Sequence, residues 1–176
     1  VGNIMALRQV NVKRMLAFSG ISHAGFMLMT LLSITNVAGS LLYYAAAYSL
    51  SGIAAFSVIL YVCKNRDNED IVNFHGLAKT NPLLTAILTG SLLSMAGIPI
   101  FAGFFAKLVL FGQTIQAGYL VVVIFAVINS IISVGYYFKL ILAMYTKEPN
   151  EARIGKAYLY HAVAIVAIVV NIVIGL

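Results

Sequence analysis

Charge is scarce in this sequence. Asp, Glu, Lys and Arg make up 9% of its 176 residues, against 62% hydrophobic. An ordinary soluble domain is about a quarter charged. So few charges cannot coat a globule in water, which excludes a soluble enzyme, a disordered chain and a collagen-like chain. Cysteine is nearly absent too. Cys63 stands alone, which excludes an internal disulfide, and one Cys cannot build a zinc site or a cysteine-ligated cluster. It closes an apolar run, where it reads as a small packing residue. His23, His75 and His161 are far apart and show no metal-ligand spacing. Tryptophan is missing, so an interfacial aromatic belt must rest on the ten Tyr. There is no glycine-rich dinucleotide fingerprint and no signal-peptide pattern.

What is present is a set of apolar runs separated by short basic connectors. The balance is 11 Lys and Arg against 5 Asp and Glu, a net charge of +6. A nucleic-acid partner would require a concentrated basic face, which is absent; the positive-inside rule of membrane proteins explains the excess more simply. Five long apolar stretches run from about Val12 to Ile34, Ser40 to Val62, Pro82 to Ala117, Gly118 to Tyr145 and Ala157 to Leu176. At roughly 20 residues per span they predict an all-α, polytopic transmembrane bundle of about five spans. The third stretch, 82–117, is too long for one straight helix and is interrupted by GIPIFAG, Gly97 to Gly103. The chain opens at Val1 on a short apolar segment, VGNIMAL, which reads as the tail of a preceding helix in a longer protein.

Topology sorts the charges. If 82–117 is one interrupted crossing, Arg8, Lys13 and Arg14 share a side with the connectors 64–81 and 146–156. The opposite side then receives only uncharged connectors, around Thr35 and Asn36 and around Gly118. The positive-inside rule makes the charged side cytoplasmic. Lys139, six residues from Tyr145, can snorkel to that interface. A re-entrant hairpin in the third stretch would move the last connector and destroy the asymmetry.

Two ionisable residues remain near mid-depth, His23 and Lys107. A lysine at the centre of a span costs roughly 2.5–3.5 kcal/mol on insertion scales, and such residues usually face a polar interior and mark an ion pathway. The alternative is a charge anchored to a carboxylate on a neighbouring helix. Pro99 lacks an N–H, while Gly97 and Gly103 permit backbone shapes that a helix forbids. Transporters use such breaks to build mid-membrane ion sites. Lys107 is expected in the first turn of the second half-helix, where the helix dipole and burial both disfavour the ammonium. A nearby carboxylate would favour it, and that balance would let its proton come and go.

His23 can both accept and donate a proton, or simply bond between helices. Ser19, His23, Phe26 and Thr30 share a helical face; Tyr44, Tyr48 and Ser51 form a second stripe, and Asn129, Ser133 and Tyr136 a third. Of these, Ser19, Tyr48 and Ser133 are candidates to support a water path, against the alternative of ordinary interhelical bonding. Lys13 and Arg14 read as anchors, with Lys13 also placed to pass protons inward.

At this point two long motifs carry a resemblance. ALRQVNVKRMLAFSGISHAGFML, residues 6–28, resembles a helix start in the antiporter-like membrane subunits of respiratory complex I. GLAKTNPLLTAILTGSLLSMAGIPIFAGFFAKLVLF, residues 76–111, resembles their interrupted twelfth helix. Within that family the resemblance is to the branch formed by subunit N of bacterial NADH-quinone oxidoreductase. Lys107 stands where the M branch carries Glu, and LLYYAAAYSLSGIAAF lacks the His and Lys series of the L branch. It also lacks the Lys of sodium/proton antiporter subunits.

The resemblance implies that residues 1–176 are the C-terminal part of one antiporter-like domain, helices ten to fourteen preceded by the tail of helix nine. It implies proton translocation through a Lys107, His23 and Lys13 relay, in a multi-pass protein of the bacterial inner (plasma) membrane. A Glu on the fifth helix and lysines on the seventh and eighth would lie upstream. By the same resemblance, NADH, FMN, iron–sulfur clusters and quinone belong to partner subunits of the membrane complex. This chain would hold no cofactor or metal, would not be catalytic alone, and would meet lipid and other membrane-arm subunits rather than nucleic acid. Two competing readings are a subunit of a multisubunit sodium/proton antiporter and a purely structural membrane module.

Overall fold

Apolar runs of this length can satisfy their own backbone in a bilayer only as helices. In the computed structural model, which describes residues 1–32, 37–64, 66–149 and 158–176, helices are what they form. The order is α1 (Gly2–Leu7), α2 (Val12–Met29), α3 (Val37–Val62), α4 (Leu77–Thr80), α5 (Pro82–Ala96), α6 (Ala102–Gln116), α7 (Leu120–Thr146) and α8 (Tyr158–Gly175). Asn11 caps α2 by accepting the Arg14 N–H at 3.0 Å, and α2 tightens into a 3-10 turn over Thr30–Leu32. Pro82 opens α5, where its missing N–H costs nothing.

α2 with its 3-10 extension, α3, α7 and α8 are each long and apolar enough to cross a membrane. α5 and α6 have 15 residues each, about 22 Å of helix, which is short of a hydrocarbon core of about 30 Å. Their register against α3 shows how they share one crossing. Ser94 of α5 meets Ser51 of α3 at 2.9 Å. Further along, Gln113 of α6 accepts from Ser40 near the start of α3 at 2.5 Å. The chain therefore keeps travelling down α3 through the break. It does not turn back, as a hairpin would. α8 also runs antiparallel to α3: Tyr160 and His161 pack on Tyr61, while Tyr43 donates to Ile174 O at 3.2 Å.

The charges gather at one end, as the topology requires. Lys13 pairs with Glu69 at 2.6 Å and Lys79 with Glu148 at 2.8 Å. Lys139 donates to Gln9 O at 3.2 Å, and Gly76 N to Ala143 O at 3.2 Å. An antiparallel bridge, Asn11 with Asp70, ties the α1–α2 junction to the α3–α4 connector. Thr35, Asn36 and residues 150–157, with Glu151, Arg153 and Lys156, lie outside the described residues.

Two apolar clusters divide the interior. One joins the charged-side halves of α2, α3, α5 and α7 with α8, around Leu88, Leu92, Tyr137 and Leu140. The other joins Phe26, Tyr44, Ala47, Ala106 and Leu110. Tyr48 packs against both, at the level of the break. Outward faces stay apolar and bare, as at Val121, Phe125 and Ile131. Such surface suits lipid or neighbouring membrane helices.

Candidate functional site

α5 ends in a hydrogen-bonded reversal. Gly97 takes a left-handed conformation, φ 87°, available to Gly without penalty. Its N–H bonds Ser94 O, and the Ile98 N–H bonds Leu93 O, both at 3.0 Å. This Schellman pattern leaves the next two carbonyls, of the buried residues Met95 and Ala96, with no backbone donor from the cap. Pro99 lies in the turn that follows, and Ile100 has a positive φ of 92°. A β-branched residue there is strained, by roughly 1–3 kcal/mol. Gly103 is required for close approach, because a Cβ would collide with the Ser94 carbonyl oxygen.

Lys107 supplies the missing donor. Its Nζ donates to Met95 O and Ala96 O, each at 3.0 Å, and sits 5.1 Å from the centre of the Phe26 ring. The side chain is buried, 6% exposed. Two expectations are corrected here. Lys107 is the sixth residue of α6, past its first turn. A helical side chain leans toward its own N-terminus, so the ammonium reaches back to the C-terminal end of α5, the negative end of that dipole, which favours a cation. Its partners are backbone carbonyls, not a carboxylate; the described carboxylates, Asp67, Glu69, Asp70 and Glu148, belong to the connectors.

His23 approaches the same place from α2. Its Nδ1 is 2.9 Å from Tyr44 Oη and its Nε2 3.3 Å from Tyr137 Oη, and its ring stacks on Tyr48 at 4.3 Å. Tyr137 is also hydrogen-bonded to Ser19. A cavity of about 10 Å³ lies among His23, Tyr44, Tyr48, Ser51, Ser94 and Lys107, at the lower limit for one water. Groups that can hand on a proton therefore surround a space that a single water can bridge.

A polar cluster, which sequence reasoning did not single out, lines the wall. Asn171 of α8, fully buried, accepts from Ser94 Oγ at 3.0 Å and donates to Ser51 Oγ at 3.1 Å. The available signal was an isolated Asn in an apolar run, since buried polar groups are almost always bonded. Tyr137 gave no such signal, being one of two adjacent tyrosines that differ only in helical phase.

Lys13 and Ser133 are not brought to the cavity. Lys13 lies ten residues before His23, about 15 Å along the helix, and Ser133 donates to Ser130 O of its own helix at 2.6 Å. Among the described residues no three His, Cys, Asp or Glu side chains converge as metal ligands. The Lys13 ammonium, and then the Asn11 amide, hydrogen-bond the Glu69 carboxyl and hold it below the ordinary carboxylate range. A lowered value means that the pair stabilises the junction above the ordinary carboxylate pKa. That contribution is lost as pH falls through the lowered value. Backbone amides of 66–74 are expected to exchange faster in that acid window, and Glu69→Gln is expected to abolish the step in hydrogen-exchange measurements.

Comparison with known proteins places the fold in a family. Residues 1–133 match the model of the family described as NADH:quinone oxidoreductase/Mrp antiporter, transmembrane. NADH-quinone oxidoreductase subunit N of Flavobacterium johnsoniae is 79% identical over the whole chain, which spans 38% of that relative's length. Among solved structures, respiratory complex I from Thermus thermophilus with bound aureothin superposes with a TM-score of 0.88 at 32% identity, over 99% of this chain and 40% of the matched one. The Mrp complex from Dietzia reaches 0.89 at 22% identity, over 99% and 41%, a likeness of fold alone.

Proposed function

Because the chain belongs to the NADH:quinone oxidoreductase/Mrp antiporter transmembrane family, we propose that it is the C-terminal part of a proton-translocating membrane-arm subunit of a bacterial NADH:quinone oxidoreductase. Residues 1–176 correspond in this reading to helices ten to fourteen, with α1 as the tail of helix nine. The observation that carries the mechanism is the meeting of Lys107 and His23 around one water-sized cavity at a helix break.

In this reading Lys107 holds a proton against the carbonyls of Met95 and Ala96 and releases it across the cavity. His23 exchanges it, with Tyr44 and Tyr137 fixing the imidazole from both nitrogens. Tyr48 stacks on the ring, and Ser19 fixes Tyr137. Lys13, paired with Glu69, stands at the charged end, where protons arrive from or leave to the cytoplasmic surface. Ser133, bonded to Ser130 O within its own helix, takes no part in the relay in this reading. Redox chemistry, with NADH, FMN, iron–sulfur clusters and quinone, belongs to partner subunits, and energy reaches this chain through contacts in the membrane arm.

The experiment is NADH-driven acidification of vesicles carrying the complete complex with quinone as acceptor. Pumping is expected to be unchanged when sodium is removed, and sodium dependence would favour the antiporter alternative. His23→Phe, which keeps a ring but no exchangeable proton, is expected to lower pumping about 100-fold while NADH dehydrogenase activity toward a soluble acceptor remains.

A further inference from the structure

α8 clamps both halves of the break. The Asn171 amide donates to Ala47 O at 2.9 Å and to Ser51 Oγ at 3.1 Å, both on α3. Its Oδ1 accepts from Ser94 Oγ on α5 at 3.0 Å. Ser94 Oγ in turn accepts the Gly103 N–H at the start of α6, at 3.3 Å. One turn further on, a Cβ at Gly175 would lie 2.6 Å from Ala102 N, so the backbone of α8 lies against the first residue of α6. Every hydrogen-bonding atom of the Asn171 side chain is used, and the network touches α3, α5 and α6 at once.

Ser94 immediately precedes Met95, whose carbonyl, with that of Ala96, receives the Lys107 ammonium. We propose that Asn171 is a positioning residue for Lys107: through Ser94 it fixes the height and direction of the two carbonyls, and thereby how firmly the break holds the lysine proton. The proposal rests on Lys107 being a relay. Asn171 does not touch Lys107, and α8 brings no charge to the cavity; its titratable residues, Tyr158, Tyr160 and His161, lie at the far end. The other titratable groups facing Lys107 are His23 from α2 and Tyr44 and Tyr48 from α3, and α5 has none. A buried Asn that merely glued helices together would affect assembly but would not change the pH dependence of transport.

The test uses the complete subunit in its assembled membrane complex. Asn171→Leu, Ser94→Ala and Lys107→Ala are compared with the parent for assembled complex and for protons moved per NADH across pH. Asn171→Leu and Ser94→Ala are expected to assemble. Their pumping is expected to fail at lower pH on the alkaline side, by about half a pH unit or more, as the loss of one or two hydrogen bonds to the carbonyl support predicts. Assembled variants with the parent's alkaline limb, beside an impaired Lys107→Ala, overturn the proposal while sparing the relay. Parental pumping by Lys107→Ala overturns the relay and this proposal together. Loss of assembly in both Asn171→Leu and Ser94→Ala, with Lys107→Ala assembled, shows a scaffold residue and also overturns it.

Discussion

Replacing Lys107 with alanine is expected to leave the complex assembled and to cut proton transfer through this subunit about 100-fold or more, the contribution of a positioned proton donor and acceptor. Assembly survives because of what the truncation leaves behind. Met95 O and Ala96 O lose their donor, at about 1–3 kcal/mol each if they stay dry. The vacated side-chain volume adjoins the cavity beside His23 and Ser94, so water can enter and take the ammonium's place. Lys107→Met should be worse for assembly, because it fills the space and donates nothing. That order, alanine tolerated better than methionine, opposes what packing volume alone predicts. Quantifying intact complex and protons per NADH for both variants checks it; failure of Lys107→Ala to assemble would favour the purely structural reading.

The largest stability effect is expected from a single methyl group at Gly103. Gly→Ala inside a helix normally stabilises by roughly 0.5–1 kcal/mol. At Gly103 the new Cβ would strike the Ser94 carbonyl oxygen, and the backbone on both sides is fixed. The half-helices must separate, which breaks the Gly103–Ser94 bond and disturbs the carbonyls beneath Lys107, a combined cost of about 4 kcal/mol or more. Gly112, on the same helix, meets nothing within 4 Å of such a Cβ, so Gly112→Ala is expected to be neutral or slightly stabilising. Thermal inactivation of the two variants compares the same chemical change at two depths of one helix.

Much of this site is legible in the sequence. His23 and Lys107 stand out because ionisable residues are rare in apolar runs, and the single crossing of 82–117 followed from where the connector charges must go. Gly97, Pro99 and Gly103 marked the break. The sign of the dipole at Lys107 is not legible in the sequence, because it depends on a helix boundary placed to within one turn, and helix boundaries follow from local capping geometry that composition does not encode. The left-handed conformation of Ile100 violates the preference of its own side chain, so no propensity argument reaches it. Asn171 and Tyr137 are visible as polar groups, but whom they meet is decided by the register of α8 against α3 and of α7 against α2, which is a property of packing.

The partners of Lys107 have one more consequence. A carboxylate counter-ion can itself be protonated, so a lysine paired with one shares its titration with its neighbour. Peptide carbonyls stay unprotonated throughout the range in which membranes work. The electrostatic environment that Met95 and Ala96 offer is thus a constant, set once when the chain folds. In the proposed relay, control over the proton would therefore come from the distance between the ammonium and this helix end and from the protonation of His23, which faces the same cavity. In such a relay the carbonyl pair would act as a ratchet tooth of fixed height, and the lysine arm would be the part that moves.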